Sequence, residues 1–340
     1  MKKQLTRIAS WMLLATMGQA GAFAQNIRID MNQTYPEKTI SLQKVADVKY
    51  IPLETTDEVL FNGIVTNLSA EGIAGFNKKE GDILVFDGTG KAIASFNHTG
   101  QGPNEYNKIY HLDVDWKQKE VYVQDNFRQK IRIYGLDGRH LRTIDLQETM
   151  QQGDLYSFSD TRLIYYAQPK SKPVTAYEPV TLLSKKDASK VTLPFTKTDD
   201  NLVKATGGPF GDMKMSAKNV NLLCKKGDEV YVNEVTADVI YRVESNHALT
   251  PVVERTPSYQ DASGQDFFLM LTGANARYYF FKRQQALLEF QGNAATDTKS
   301  TYVAYDRKEK QLLNPTFTNE DYPSQDIPMS KLLQCAGSAN

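Results

Sequence analysis

The sequence contains ILVFDGTGKAI at residues 83–93 and IRIYGLDGRHL at residues 131–141, an offset of 48 residues. Each copy is a β-rich run, a turn with glycine and a second β-rich run, which is the pattern of a β-hairpin. The element EVYV occurs at residues 120–123 and again at residues 229–232, an offset of 109, which is about two periods. Similarity at a fixed spacing of roughly 40–50 residues, built from short strands, is typical of propeller blades.

The unit around the second copy divides into four strands, which we predict at residues 109–115, 120–124, 130–134 and 140–146. Weaker strand patterns follow at residues 162–167, 220–224, 239–243, 278–282 and 301–305. Dividing the 316 residues after position 24 by ~50 predicts six blades. We therefore predict an all-β fold, a six-bladed β-propeller of four-stranded antiparallel blades, with a pair of β-sandwiches as the rival interpretation.

The propeller is expected to close by pairing between the two ends of the chain, because closure removes exposed sheet edges. Residues 27–31 and 48–53 are the predicted partners of the last blade.

Residues 1–24 have the pattern of a secretory signal. Lys2, Lys3 and Arg7 precede an apolar stretch at residues 8–17, and Ala-Phe-Ala stands directly before Gln25. The apolar stretch is shorter than the ~20 residues that span a bilayer. We predict a signal peptide at residues 1–24, a single propeller domain at residues 25–340, and a periplasmic or secreted protein without a membrane span; a buried N-terminal helix is the alternative.

The composition narrows the function classes. Forty basic and 40 acidic residues give zero formal net charge, so the composition gives no electrostatic case for binding nucleic acid. With 41% hydrophobic residues the chain is an ordinary globular protein rather than a disordered or collagenous one. Cys224 and Cys335 could form a disulfide in an exported protein, or Cys224 could be a small buried residue; the sequence leaves both open.

Three segments carry a family resemblance: YIPLETTDE at residues 50–58, the hairpin at residues 86–91 and GQGPNEY at residues 100–106. Together with the strand at residues 120–125 they resemble the exported six-bladed β-propeller proteins of Bacteroides-type bacteria, which are similar in turn to NHL-repeat propellers. The resemblance is strongest over residues 41–146. It implies the fold and export, and it brings no catalytic residues.

Strand direction predicts which loops share a face. In a four-stranded meander, the connection from one blade to the next and the turn between the second and third strands emerge at the same end. Residues 100–106, 125–129 and 234–238 should therefore lie on one face, where binding groups usually sit on a rigid scaffold. The candidate ligand-face residues are Gln101, Glu105, Tyr106, Asp125, Arg128 and Asp238.

The chemistry-bearing motifs are weak. The four histidines lack metal-ligand spacing, and no G-x-S-x-G is present. Asp113 and Asp115 could point to one side of a strand and hold a cation, although a strand-end carboxylate more often bonds a turn. The glycine-rich stretches at residues 100–103 and 207–212 could cradle an anion but are more often tight turns.

We therefore predict no catalytic residues, no metal and no cofactor. The predicted function is an exported, non-catalytic binding or scaffolding propeller, whose partner is an unidentified protein, small molecule or glycan. The alternative is a propeller hydrolase or lyase that uses a divalent cation at the channel mouth.

Overall fold

The structure is a computed structural model, and it describes thirteen segments of the chain. These are residues 26–125, 129–146, 150–151, 154–166, 168–169, 177–196, 202–206, 213–216, 222–259, 261, 267–291, 294–295 and 299–322. The predicted signal peptide, Arg128, Cys335 and the glycine-rich stretch at residues 207–212 lie outside the described residues.

The described elements are strands, apart from one short 3-10 helix at Leu42–Lys44. Two strands come first: β1 (Ile27–Asp30) and β2 (Glu37–Ser41). The first blade follows: β3 (Ile64–Leu68), β4 (Gly72–Phe76), β5 (Ile83–Asp87) and β6 (Ala92–Phe96). The second comprises β7 (Ile109–Asp115), β8 (Glu120–Asp125), β9 (Lys130–Gly135) and β10 (His140–Asp145).

The third blade, with its two-residue accessory strands, comprises β11 (Met150–Gln151), β12 (Leu155–Ser157), β13 (Arg162–Tyr166), β14 (Gln168–Pro169), β15 (Val180–Ser184) and β16 (Lys190–Thr192). A hairpin follows, β17 (Leu202–Thr206) and β18 (Met213–Ser216). The fourth blade is β19 (Leu223–Lys226), β20 (Glu229–Val232), β21 (Val239–Val243) and β22 (Leu249–Thr256). The fifth region is β23 (Phe267–Ala274), β24 (Tyr278–Gln285), β25 (Leu287–Gln291), β26 (Ala294–Ala295), β27 (Ser300–Asp306) and β28 (Gln311–Thr318).

The described strands form a propeller of five antiparallel four-stranded blades, so the prediction of six blades is wrong. The blades are β3–β6, β7–β10, β12-β13-β15-β16, β19–β22 and β23-β24-β27-β28. The first strand of each blade is the inner one, because β7 contacts both β3 and β12, and β19 contacts β23. The estimate counted strands β1 and β2 and the β17–β18 hairpin toward a blade, but these strands do not form a separate four-stranded blade.

The hydrophobic core lies between neighbouring blades. On the inner strand of the second blade, Leu112 and Val114 pack against the first blade. On the following strand, Tyr122 faces the third blade. Alternate residues of β5 likewise belong to two clusters on opposite faces of the first blade, which explains why this strand reads as a continuous apolar run rather than as an alternating pattern.

The N-terminal strands are added in parallel to the outer edges of the last two blades. Strand β1 pairs with β22 of the fourth blade, from Ile27 opposite Val253 to Asp30 opposite Thr256. Strand β2 pairs with β28 of the fifth blade, from Glu37 opposite Asn314 to Ser41 opposite Thr318. Both segments expected to pair with the last blade do otherwise: β1, within residues 27–31, pairs with the fourth blade, and the segment at 48–53 forms no strand.

The chain between β2 and β3 fills the joint between the fifth and first blades. Leu42 and Val45 pack on the face of the fifth blade that is turned away from the fourth. Ile51 and Leu53 pack on the face of the first blade that is turned away from the second. This segment therefore completes the ring with apolar side chains instead of ladder hydrogen bonds.

Candidate functional site

Blade-to-blade connections and second-to-third-strand turns meet at one end of the propeller, which we call the connection face. Tyr106, in the connection from the first to the second blade, donates its hydroxyl to the Gly81 carbonyl in a second-to-third turn, at 2.7 Å. The Asn107 N–H in the same connection donates to Asp125 Oδ2 at 2.9 Å. The opposite end, which has the tight hairpins, is the hairpin face.

The loop at residues 100–106 folds back on itself. Glu105 Oε2 accepts the Gly102 N–H at 2.6 Å, and a Cβ at Gly100 would lie 2.0 Å from the same carboxylate oxygen. Gln101 is exposed and Glu105 half-buried. Tyr106 is fully buried against the first blade and anchors the loop. Of these three predicted residues, Gln101 and Glu105 are therefore accessible to a ligand.

The other predicted residues are divided between two blades. Asp125 is fully buried and pairs with the equally buried Arg132, with Arg132 Nη1 at 3.1 Å from Asp125 Oδ2. Asp238, half-buried on the fourth blade, accepts the Ser258 hydroxyl and the Tyr259 N–H, both at 2.6 Å. Asp125 thus contacts the loop before β7, whereas Asp238 contacts the connection after its own blade.

A buried carboxylate lies among the inner strands of four blades. Asp113 on β7 accepts the side-chain amide of Asn67 from the first blade and the Ser157 N–H from the third, both at 2.6 Å. Lys225 of the fourth blade reaches across to it, with Nζ at 3.3 Å. One carboxylate from the second blade therefore contacts three other blades.

Asp115, two residues further along β7, has a lysine of its own. Lys185 Nζ lies 2.5 Å from Asp115 Oδ2 and 2.9 Å from the Ser157 hydroxyl. The two carboxylates weighed as a cation site are thus each neutralised by a lysine, as expected for structural groups. Among the described residues, no three His, Cys, Asp or Glu side chains lie close enough together to hold a metal ion.

His111 lies in the same inner strand and is buried at 4% exposure. Its ring makes an edge contact with Tyr156 of the third blade, with centroids 5.0 Å apart. Burial lowers the pKa of His111 to about 4, so the imidazole is neutral at pH 7. Its Nε2 atom has no hydrogen-bond partner in the part of the chain that the structure describes.

The channel mouth on the connection face presents an aromatic side chain. Tyr110 is the extra residue of a β-bulge at the start of β7, because Ile109 pairs with Asp125 and His111 with Gln124. Such a bulge re-aims a side chain, and Tyr110 is 43% exposed. Leu60, just before the first inner strand, is also exposed, and Phe267 at the start of β23 is partly exposed.

Asp154 directly precedes inner strand β12, and β12 packs on β7 through the Ser157 N–H on Asp113 and the Tyr156 ring on His111. This packing places Asp154 near the start of β7, where Tyr110 lies. The Asp154 Oδ2 atom accepts the N–H groups of Leu222 and Leu223 at the start of β19, at 2.7 and 2.8 Å. Burial raises the pKa of Asp154 to about 6. Burial, and after it the Asp154 charge, raise the pKa of Tyr110. The inner strands of three successive blades thus bring an aromatic ring and a carboxylate together at the mouth.

Sequence reasoning missed Tyr110 and Asp154. Nothing in the sequence marks the bulge, and the contacts of Asp154 lie 68 and 69 residues away along the chain. Both residues lie at or just before the start of an inner strand, on the connection face. That position could have marked them as candidates, because strand direction predicts the binding loops on this face.

The remaining expectations concern the cysteines and the membrane. Cys224 is fully buried on β19, and its suggested partner Cys335 lies outside the described residues. No helix among the residues described is long and apolar enough to cross a bilayer.

Two solved structures share the fold. One is a protein from Bacteroides fragilis NCTC 9343 that is described as exported on the basis of inference alone. It is 14% identical to this chain, with a TM-score of 0.57 over 84% of this chain and 79% of its own. The other, from Bacteroides vulgatus ATCC 8482, is a member of the DUF4221 family; it is 8% identical, with a TM-score of 0.51 over 79% of this chain and 87% of its own. At these identities the likeness supports the fold alone.

No curated protein matches the sequence. A family model does match, over residues 26–331, which is nearly all of the chain after the predicted signal peptide. The chain therefore belongs to the family described as a domain of unknown function, DUF4934.

Proposed function

We propose that this protein is an exported, non-catalytic binding propeller that takes its ligand at the channel mouth on the connection face. The observation that carries the proposal is Tyr110: a bulge turns a large aromatic side chain out of a buried inner strand and leaves it 43% exposed. An aromatic ring beside a few polar groups in a concave position is the usual composition of a ligand site.

The middle of the channel supports binding rather than catalysis. Asp113 and Asp115 are held by Lys225 and Lys185, so neither is available as a cation ligand. Gln101, Glu105 and Asp238, which strand direction assigns to the same face, would widen the contact surface for a larger ligand. Export to the periplasm or the medium is part of the proposal and rests on the signal at residues 1–24.

A thermal-shift screen tests the proposal with four defined probe classes: amines, saccharides, carboxylic acids and dipeptides. A ligand at about 100 times its Kd stabilises the folded protein by ~2.7 kcal/mol and raises the Tm measurably. We expect at least one class to raise the Tm of the natural protein but not of Tyr110→Ala.

Leu68→Ala is the matched control, because Leu68 is an exposed apolar residue at the opposite end of inner strand β3. It should keep the full Tm shift. A response lost in Leu68→Ala and kept in Tyr110→Ala would place the site on the hairpin face, and a screen without any response would count against a small ligand.

A further inference from the structure

We propose that the channel mouth binds an ammonium ligand, with Asp154 supplying the carboxylate and Tyr110 the aromatic face. This inference rests on the proposed function and specifies its ligand class. Asp154 lies between the inner strands of the third and fourth blades, and Tyr110 lies at the start of the second. A cation at the mouth could therefore touch the Tyr110 ring and the carboxylate together.

Asp154 has no cationic partner among the described residues. Its side chain accepts two backbone N–H groups, both at Oδ2. Lys225, on the strand that supplies one of these N–H groups, is engaged with Asp113. Asp154 differs in this respect from Asp113 and Asp115, which each have a lysine within 3.3 Å.

An enclosed carboxylate without a counter-ion attracts a cation and repels an anion. A hydrogen bond from an ammonium group to a carboxylate is about twice as strong as a neutral one. A cation within ~6 Å of a tyrosine ring adds ~0.5–2 kcal/mol, with the larger values at desolvated sites. Exposed Leu60 and half-buried Phe267 lie on the same face and would suit an apolar body attached to the ammonium group.

The proposal predicts that ammonium binding depends on pH. With a pKa of about 6, Asp154 is almost fully ionised at pH 7.5 and about one-tenth ionised at pH 5. Affinity should therefore fall about tenfold between these pH values. His111 on β7 titrates at about pH 4, below this range.

The other titratable groups around Asp154 have their own interactions. On β7, the neighbour facing it is Tyr110, whose pKa is raised further above its usual value near 10. On β13, the Tyr166 hydroxyl is hydrogen-bonded to Glu234. On β19, Lys225 is bound to Asp113.

Isothermal titration of the full mature chain with hexylammonium tests the proposal, and hexan-1-ol is the neutral probe of matched length. Asp154→Asn removes the charge and keeps an oxygen that can accept the two N–H groups. Asp160→Asn is the control, because Asp160 is an exposed carboxylate paired with Lys117.

We expect hexylammonium to bind and hexan-1-ol to bind at least tenfold more weakly. Asp154→Asn should weaken hexylammonium at least tenfold, Tyr110→Leu severalfold, and Asp160→Asn not at all. Equal affinity for the two probes, unchanged affinity in a folded Asp154→Asn, or no binding of hexylammonium would overturn the inference.

The same variants separate this inference from the proposed function. If another probe class binds and depends on Tyr110 while hexylammonium does not bind, the ligand class is wrong and the mouth remains the site. If no probe response depends on Tyr110, both fail.

Discussion

At the scale of single residues, burial moves the pKa values of two groups near the centre of the propeller in opposite directions. Burial lowers the pKa of the His111 imidazole from 6.5 to about 4. Burial raises the pKa of the Asp154 carboxyl from 3.8 to about 6. Both changes disfavour the charged form, so both groups are held close to neutrality in mildly acidic solution.

The two shifts should have opposite effects on stability as the pH falls from 6.5 to 4. Unfolded His111 binds a proton that the folded protein excludes, so its contribution to stability is lost over this range, by up to about 3 kcal/mol. Asp154 binds a proton in the folded protein at a pH where the unfolded chain does not yet bind one. The free energy of unfolding therefore increases through Asp154 as the pH falls, by a similar amount.

We therefore expect single variants to expose a pH dependence that the natural protein largely cancels between these two sites. Asp154→Asn should lose free energy of unfolding more steeply than the natural protein from pH 7 to pH 5, and His111→Gln should lose it less steeply. Urea unfolding at several pH values measures both slopes. Three identical slopes would show that neither group is titrating as described.

The repeat in the sequence is matched by a repeated local contact, whereas the candidate site depends on contacts between distant residues. The repeated EVYV element places equivalent contacts in two blades: the Tyr122 hydroxyl bonds to Glu120 at 2.5 Å and the Tyr231 hydroxyl to Glu229 at 2.7 Å. Such pairs are two residues apart and are encoded locally. The role of Tyr106 was misjudged as an exposed loop tip, because its burial depends on Gly81, which lies 25 residues earlier in the chain.

At the scale of elements, the strands of the first two blades follow the predicted pattern closely. β7 covers Ile109–Asp115 as predicted, and β8, β9 and β10 differ from prediction by one residue each. The blade count failed because length was divided evenly. Residues 42–63 cover blade faces, and the β17–β18 hairpin pairs in parallel with β25. Neither arrangement has a periodic signature in the sequence.

Strand β1 is expected to stabilise the fold through its inward side chains. Ile29 is fully buried in the cluster between the fourth and fifth blades, whereas the neighbouring Arg28 has a side chain 75% exposed. Ile29→Ala should lower the free energy of unfolding by about 2–5 kcal/mol. Arg28→Ala should change it by about 0.5 kcal/mol or less. Chemical denaturation of the two variants provides the comparison, and equal small effects would mean that β1 is not docked in solution.

At the scale of the whole molecule, the ring is held together by side-chain contacts at its centre and by strand pairing at its rim. Asp113 connects four blades at the centre, and β1 and β2 connect the start of the chain to the last two blades at the rim. Strand β1 starts at Ile27, close to the predicted cleavage point before Gln25.

We expect the exported protein to begin at Gln25. Expression with the native leader, followed by intact-mass measurement of the extracytoplasmic fraction, should give the mass of residues 25–340. A species that retains Met1 outside the cytoplasm would contradict the signal-peptide prediction, and cleavage several residues after Ile27 would remove part of β1.

The pairing of β2 with β28 also imposes an order of events on folding. The two strands are separated by about 270 residues, so the rim cannot be completed until the ribosome has released β28. Contacts between such distant segments form late, because bringing them together has a large loop-closure cost. If the protein is exported as proposed, a chain whose leader is still engaged by the export machinery would lack both rim strands. The propeller would therefore acquire its full stability only after translocation, when its N-terminus is free to dock.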